Sequence, residues 1–445
     1  MASQPEAAAV APRVVLVLGS GAREHALAWR LRGEGIPRVL VAPGNPLMAD
    51  VAEVTGGSMA GEAVVELCRR QSIELVVVGP EGPLVAGVAD ALAGAGISCL
   101  GPSAAAARLE GSKAFCREVA EACGVPMAEG AAFGDLSAAL DYAESQAGAP
   151  LVVKADGLAA GKGVAVCETI GDARAAIREL MVGDRFGAAG RSVVVERRLE
   201  GREASLIALC DGREALLLPV ARDHKRLLDG DLGPNTGGMG ACSPVDDVRD
   251  DDARAWLDAF HRPVLAEMAR RGAPFTGFLY AGLMLTPDGP RLLELNVRLG
   301  DPEAQAILPR IDAPLGALMA AAARGKLCAA AAELGLADAL PALDETAVAL
   351  TLAAAGYPDA PRSGDPIGGL DSARSKGALV FGAAVARAAD GRLVSSGGRV
   401  LSIVGRGASL DAACEQAYLA AAQVELAGAQ LRRDIGRPVR EVAVA

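Results

Sequence analysis

The sequence predicts an α/β protein of several domains that opens on a parallel sheet with helical crossovers, and three observations carry that expectation. "RVVLVLGSG", "RVLVAPGN", "ELVVVGPEGP" and "GISCLGPS" each set an apolar run before a turn and a helix-compatible stretch, the pattern of βα units. The 445 residues exceed one ordinary core, which the usual size prior puts at roughly two to four domains. Hydrophobic residues make up 51% and charged residues 22%, with 54 Gly and 25 Pro, a mix that suits a folded chain with many turns rather than disorder.

Composition also narrows the partners. A net charge of -11 repels phosphate backbones, so nucleic acid is excluded as a partner while a local basic pocket for a small phosphate is not. Nine cysteines, an odd number without a CxxC pair, read as reduced thiols inside a cell. Three histidines leave almost no material for a histidine-based zinc site. The Ala-rich stretch 315–340 is broken by Arg324 and Lys326, too short an apolar run to span a bilayer, so soluble helix and no membrane partner are expected. "MASQPEAAAVAP" lacks the apolar core of a signal peptide, which predicts a cytoplasmic protein, or a plastid or other organellar one if a transit peptide has been removed.

Taken in order, the first strand ends in "GSGAREH", with a helix expected from about Glu24 to Arg32. Gly19, Ser20 and Gly21 begin a GxGxxG, yet Glu24 stands where the third glycine belongs and no acid ends the second strand at Val41. A nicotinamide cofactor is therefore disfavoured. Backbone N–H groups at a helix start still suit one phosphate, with Arg23 able to add charge, although an ordinary strand-to-helix turn would look the same. Ligands of open parallel sheets sit beyond the carboxyl ends of the strands, where "GSGAREH", "PGN" and "GPE" all fall.

"LVVKADGLAAGKGVAV" imitates a P-loop from Gly157 to Lys162, but only three residues separate Gly157 from Gly161, and Gly163 replaces the Ser or Thr that would meet magnesium. What remains is a strand ending in Lys154, a glycine hairpin bearing Lys162 and a second strand: a flap able to fold over a triphosphate, or a plain hairpin with exposed lysines. "SVVVERRLEGREAS" then places Glu196 at the end of an apolar strand, whose edge backbone suits an adenine, and Glu203 where a carboxylate could meet ribose hydroxyls. In "RDHKRLLDGDLGPNTGGMGACSP", Gly237, Gly238 and Gly240 permit backbone conformations that other residues resist. Last comes "LLELNVRLGDPE": in an extended chain Leu293, Leu295, Val297 and Leu299 share one face, so Glu294, Asn296 and Arg298 share the other.

These blocks, with "VGPEGPLVAGVAD", "GPSAAAARLEGSKAF", "TGFLYAGLM" and the late "GGRVLSIVGRG", occur in an order that resembles the phosphoribosylamine–glycine ligases, or glycinamide ribonucleotide synthetases, an ATP-grasp family of purine synthesis. The resemblance covers the chain after about residue 12, and its "GPNTGGMG" and "NVRLGDPE" blocks are the specific ones. It implies a βαβ domain for phosphoribosylamine over 12–112, an ATP-grasp core over 113–337 with a hinged lid at about 126–204, and a small mixed α/β domain over 338–440. The implied reaction joins glycine to 5-phosphoribosylamine through a glycyl phosphate, with release of ADP and phosphate, in a monomer.

Carried onto matching positions, the resemblance implies ATP contacts at Lys113, Lys154, Lys162, Glu196, Leu199 and Glu203. It implies Mg2+ or Mn2+ at Glu294 and Asn296, and phosphoryl transfer assisted by Arg298, Lys154 and Asp301. Phosphoribosylamine would meet Gly19, Gly21, Arg23, Glu24, His25, Gly79, Pro80 and Glu81, and glycine would meet Gly237, Gly238, Asp301 and Glu303. The strand "FLYAGLMLT" offers no further carboxylate, so the metal would lean on substrate phosphates and water. Another ATP-grasp carboxylate–amine ligase or carboxylase would share Lys154, Glu203 and Glu294, but would not need the "GPNTGGMGA" and "RLGDPE" blocks together. A regulatory nucleotide binder with a dead site would be expected to have lost Lys154, Glu294, Asn296 or Arg298, and all four are present. The stretch from about 338 shows no acid–base constellation and is expected to pack and to wall the nucleotide cleft.

Overall fold

The computed structural model of the chain describes residues 7–146, 148–159, 163–183 and 187–437. Its first unit is a parallel sheet of β1 (Val14–Gly19), β2 (Arg38–Pro43), β3 (Glu53–Val54), β4 (Leu75–Val78) and β5 (Cys99–Leu100) in the order β3-β2-β1-β4-β5. The apolar runs form strands because both faces are covered: Val15 and Val17 enter one core, Leu16 and Leu18 the other, all fully buried. Strand order reverses beside β1, which brings the loops after β1 and β4 to one crevice. The first helix runs Ala22–Gly33 rather than from Glu24, because the Glu24 carboxylate accepts the Gly21 N–H at 2.6 Å and so starts the helix two residues early.

A second layer is antiparallel, with β6 (Gly130–Phe133), β7 (Leu151–Ala155), β8 (Val164–Cys167) and β9 (Val193–Arg197) in the order β6-β9-β7-β8. Helices Leu136–Ser145 and Ile170–Val182 cover it, giving a small core of its own that includes Val153, Cys167, Ile177 and Val195. β9 is therefore an interior strand. The edge backbone expected at Glu196 is already paired, to Gly130 on one side and Val152 on the other.

The chain continues through β10 (Arg202–Asp211), β11 (Ala215–Leu217), β12 (Arg222–Asp223), the hairpin β13 (Arg226–Leu228) and β14 (Leu232–Asn235), and β15 (Gly240–Ser243). It returns as the long pair β16 (Thr276–Thr286) and β17 (Gly289–Asn296), completing a sheet in the order β11-β10-β16-β17. The alternation expected along β17 breaks once. The register slips between Gly282 and Leu283, so Leu283 faces Leu292 while Gly282 faces Glu294, and Leu293 is the extra residue of a bulge. Leu292, Leu295 and Val297 therefore share the core that Leu293 was expected to join. The strand also stops at Asn296, which leaves Arg298 in the bend that follows rather than on the ribbon.

The remaining strands are β18 (Thr346–Ala353), β19 (Ile367–Gly368), β20 (Leu379–Gly382), β21 (Val385–Arg387), β22 (Leu393–Ser395), β23 (Arg399–Gly407) and β24 (Glu425–Leu426). The main sheet here runs β12-β15-β18-β23-β20, so it takes two strands from before residue 338. Helix Leu410–Ala421 covers it. The Ala-rich stretch forms two short buried helices, Leu315–Ala322 and Leu327–Glu333, and among the described residues no helix is long and apolar enough to cross a membrane.

Candidate active site

The end of β17, the layer of β6–β9 and the loops after β1 and β4 converge on one cleft. At its floor the Glu294 side chain is 39% exposed, facing Lys225 Nζ at 3.9 Å. Burial works to raise the Glu294 carboxyl, but the ammonium groups of Lys225, Lys154 and Lys113 outweigh it and hold the pKa at about 2. The carboxylate is thus ionised, open to a ligand and ringed by cations. Asn296, 7% exposed, turns Oδ1 toward the Arg298 Nη2 at 3.3 Å.

The lysines reach this floor from different elements. Lys154, on β7, donates to the Leu293 carbonyl at 2.9 Å, an oxygen that the bulge turns out of the ladder, and pairs with Glu196 Oε2 at 2.6 Å. Glu196 is 5% exposed and also holds Arg117 at 3.0 Å. Its carboxylate therefore anchors Lys154 from behind rather than facing the cleft. Lys113 donates to the Gly157 carbonyl at 3.0 Å at the base of the flap, and burial pulls its pKa down. Lys162 lies outside the described residues. Beyond β9, Arg198 N–H is spent on Pro150, whereas among the described residues nothing hydrogen-bonds the Leu199 backbone.

Glu203, on β10, points into the cleft and meets Lys225 Nζ at 2.6 Å. Lys225 thereby bridges Glu203 and Glu294. Although burial would lower its pKa, Glu203 and then Glu294 raise it well above the ordinary lysine value. Sequence reading passed over Lys225, and the signal was its place in "RDHKRLLDGD", the stretch that leads into the glycine loop. Beside it burial, followed by the charge of Glu303, pushes the Asp223 carboxyl well above the usual range.

The turn after β1 and the first turn of helix Ala22–Gly33 behave otherwise. Arg23, Glu24 and His25 are 7%, 2% and 3% exposed. Arg23 pairs with Glu24 and donates to the Leu299 carbonyl at 3.0 Å, so the charge expected to face a phosphate is turned inward. Gly79 lies so close that an added Cβ would sit 2.2 Å from the Glu24 carboxylate, which explains why glycine follows β4. His25 Nδ1 accepts the Gly382 N–H at 2.9 Å, and its ring meets Phe381 edge-on at 5.3 Å. Burial, followed by the Arg374 charge, depresses its pKa to about 3. The ring thus ties the start of this helix to β20 as a neutral imidazole.

At the far end, Asp301 is held by Arg399 of β23: Nη2 to the carboxylate at 2.9 Å and Nη1 to the Asp301 carbonyl at 2.6 Å. Burial opposes ionisation of Asp301, but Arg399 and then Arg23 outweigh it and keep the pKa below the ordinary aspartate value. Arg399 also donates to the Gly237 carbonyl, whose own N–H donates to Tyr357 Oη at 2.9 Å. Gly238 has φ +113, and a Cβ there would lie 2.4 Å from Pro302, so the loop closes against Asp301 only with glycine. Glu303, 2% exposed, accepts from Ser205 Oγ at 2.9 Å and is not open to the cleft. The C-terminal stretch, expected to pack and to wall the nucleotide cleft, thus also places Arg399 and Tyr357 against the Gly237–Asp301 end of the site.

Among the described residues no cluster of three or more His, Cys, Asp or Glu side chains could hold a metal by itself. The donor set is one carboxylate and one amide oxygen among three lysines, which suits a hard cation that arrives with phosphate oxygens.

Three phosphoribosylglycinamide synthetase family models match the chain in succession: the N domain over 13–110, the ATP-grasp (A) domain over 111–304 and the C domain over 347–438. The chain is 45% identical over 425 residues to the phosphoribosylamine–glycine ligase of Caulobacter vibrioides, covering 95% of this chain and 97% of that one. The ligase of Neisseria meningitidis is 43% identical over 424 residues, covering 95% and 98%. A crystal structure of the phosphoribosylamine–glycine ligase of Thermotoga maritima superposes with a TM-score of 0.81 at 33% identity, covering 95% of this chain and all of that one. The biotin carboxylase domain of Hydrogenobacter thermophilus 2-oxoglutarate carboxylase shares the fold, with a TM-score of 0.68 at 17% identity over 95% and 92% of the two chains.

Proposed function

The chain belongs to the phosphoribosylglycinamide synthetase family, and from that premise we propose how its cleft performs the ATP-dependent ligation of glycine to phosphoribosylamine, a step of purine biosynthesis. One observation carries the reading: an ionised, water-accessible Glu294 beside Asn296, ringed by Lys113, Lys154 and Lys225. A triphosphate needs that surplus of cations, and a divalent ion shared with it needs those two oxygens.

Lys113 and Lys154 bind the phosphate chain. The backbone past β9, at Leu199, takes the adenine, while Glu203 takes the ribose hydroxyls and Lys225 spans from ribose to phosphate. Glu294 and Asn296 would hold Mg2+ or Mn2+, which would supply neutralisation of phosphoryl charge there. The Gly237–Gly238 loop, fixed by Arg399 and Asp301, orients glycine, and the turns Gly19–His25 and Gly79–Glu81 hold phosphoribosylamine, with the Gly21 N–H already given to Glu24 and the Gly79 N–H to Leu18.

A glycine carboxylate oxygen attacks the γ-phosphorus, the bond to the β-phosphate oxygen breaks, and ADP leaves with that electron pair. The phosphoribosylamine nitrogen then attacks the acyl carbon of glycyl phosphate. The acyl C–O bond breaks, and phosphate departs with a proton from the amine. Positioning and charge stabilisation supply the rate, and no protein nucleophile is required. We place the phosphoribosylamine domain at 12–112, the ATP-grasp core at 113–337 with its lid at 126–204, and the last domain at 338–440, in a cytoplasmic monomer that binds no nucleic acid.

A coupled assay with glycine, ATP and freshly generated phosphoribosylamine tests the reading. It should release ADP, phosphate and glycinamide ribonucleotide in equal amounts, with no product when another small carboxylic acid replaces glycine. Equal turnover on an unrelated acid would point instead to a different carboxylate–amine ligase.

A further inference from the structure

Glu110 stands three residues before Lys113, at the end of helix Ala104–Gly111. Its side chain is 9% exposed. Oε1 accepts from Arg298 Nη2 at 2.8 Å, and Oε2 accepts the Val297 N–H at 2.8 Å. One carboxylate therefore holds both the guanidinium and the backbone from which it hangs. Because Arg298 lies beyond the end of β17, no ladder hydrogen bond fixes its backbone, and this grip stands in for the missing strand.

Arg298 is shared. Its Nε donates to Glu81 at 3.1 Å, its Nη1 to the Leu299 carbonyl at 3.1 Å, and its Nη2 also reaches Asn296 Oδ1 at 3.3 Å. Every guanidinium nitrogen already has a protein acceptor, and the acceptors belong to different parts of the site. Glu81 opens the short helix Glu81–Val85 after β4, in the crevice of the parallel sheet, while Asn296 stands with Glu294 on the nucleotide side. Glu81 is the looser of the two carboxylates, with its side chain 30% exposed and within reach of a ligand in that crevice.

We propose that Glu110 is the positioning residue that holds Arg298 between the crevice carboxylate Glu81 and the reacting phosphoryl group, coupling cleavage of ATP to the presence of the acceptor amine. The proposal rests on the assignment of that crevice to phosphoribosylamine. An amine or hydroxyl that engages Glu81 competes for its oxygens and releases Arg298 Nε, while Glu110 keeps the rest of the guanidinium in place, aimed at the transferring phosphoryl oxygens. Without Glu110 the side chain follows whichever of Glu81 or Asn296 is nearer. Glycyl phosphate would then form without a committed acceptor and be lost to water as glycine and phosphate.

The test uses the full chain as wild type, Glu110→Gln, Glu110→Asp and Glu81→Gln, measuring ADP and glycinamide ribonucleotide together. Wild type should give about one ADP per product. Glu110→Gln should lower kcat for product by about 10-fold to 100-fold, the scale of a small misplacement at a reacting centre. Its ADP-to-product ratio should rise severalfold, with KM for ATP moving much less than kcat. Glu110→Asp should recover part of the coupling. Glu81→Gln, at the more exposed partner, should raise ADP release with glycine alone, which keeps the idea testable if Glu110→Gln unfolds. A ratio that stays at one in every variant, with ADP and product falling in proportion or not at all, overturns the coupling. Failure of wild type to make product would instead remove the ligase reading itself.

Discussion

The first turn of the helix after β1 and the end of β17 both carry dense polar motifs, and the structure uses them in opposite ways. Arg23, Glu24 and His25 are nearly sealed, and each finds its partner within the protein. Glu294, Glu203 and Lys225 keep side-chain exposures of 39%, 37% and 26%, and pair across the cleft rather than into a core. Residues of the first kind shape a site and residues of the second address what enters it. A motif by itself does not say which of its charges belong to which kind. Exposure with a neighbouring unlike charge does.

The sharpest way to break this comparison is Glu294→Ala. It should leave a folded protein, since the side chain is open, and lower kcat by about 100-fold to 1000-fold, the scale of losing one preorganised electrostatic group. Steady-state assays over a range of magnesium, beside a melting curve, check it, and unchanged turnover at low magnesium would remove Glu294 from the metal. Lys225→Met comes next. With the bridge between Glu203 and Glu294 gone, kcat/KM for ATP should fall by about 10-fold to 100-fold, because two carboxylates then repel the incoming triphosphate.

Glu196→Gln tests a residue of the sealed kind inside the nucleotide region. It strips a nearly buried Lys154 and Arg117 of their anion, so denaturant unfolding should show a loss of about 3 kcal/mol, the usual result of breaking a buried pair from one side. The affinity for ATP should weaken as Lys154 loses its anchor. A further effect is set by pH. With pKa values held at about 3 for His25 and about 4 for His224 and His261, the folded chain keeps these rings neutral where an unfolded one, near 6.5, protonates them. Above about pH 6.5 the difference vanishes, and as pH falls toward 4 the unfolded state gains protons that the folded state refuses, so stability drops across that window. Urea midpoints at pH 7.5, 6 and 5 should fall in that order, and His25→Gln should flatten the decline at the cost of a lower midpoint at pH 7.5.

Much of the scaffold was legible because local pattern determines it. The runs at Val14–Gly19 and Leu75–Val78 could only be strands covered on both faces, and the glycine-rich turns after them could only lie at the crevice. The chain's membership in the ligase family was legible for a related reason, since blocks such as "GPNTGGMG" are improbable outside it. What stayed hidden depends on distant meetings. Glu110 and Arg298 lie 188 residues apart, and Arg399 and Asp301 98 apart, and no local period says that a particular acid will find a particular cation. The bulge at Leu293 was hidden too, because its cause is the register against β16 rather than anything in "LLELN" itself.

The sheet β12-β15-β18-β23-β20 carries a consequence for how the molecule is made. Two of its strands are translated before residue 244, and their partners emerge more than a hundred residues later. During synthesis β15 must wait at the ribosome with an open edge, and the Gly237–Gly238 loop between β14 and β15 waits with it for Arg399. Early termination would therefore leave no smaller working ligase, only a sticky fragment for chaperones and proteases to clear.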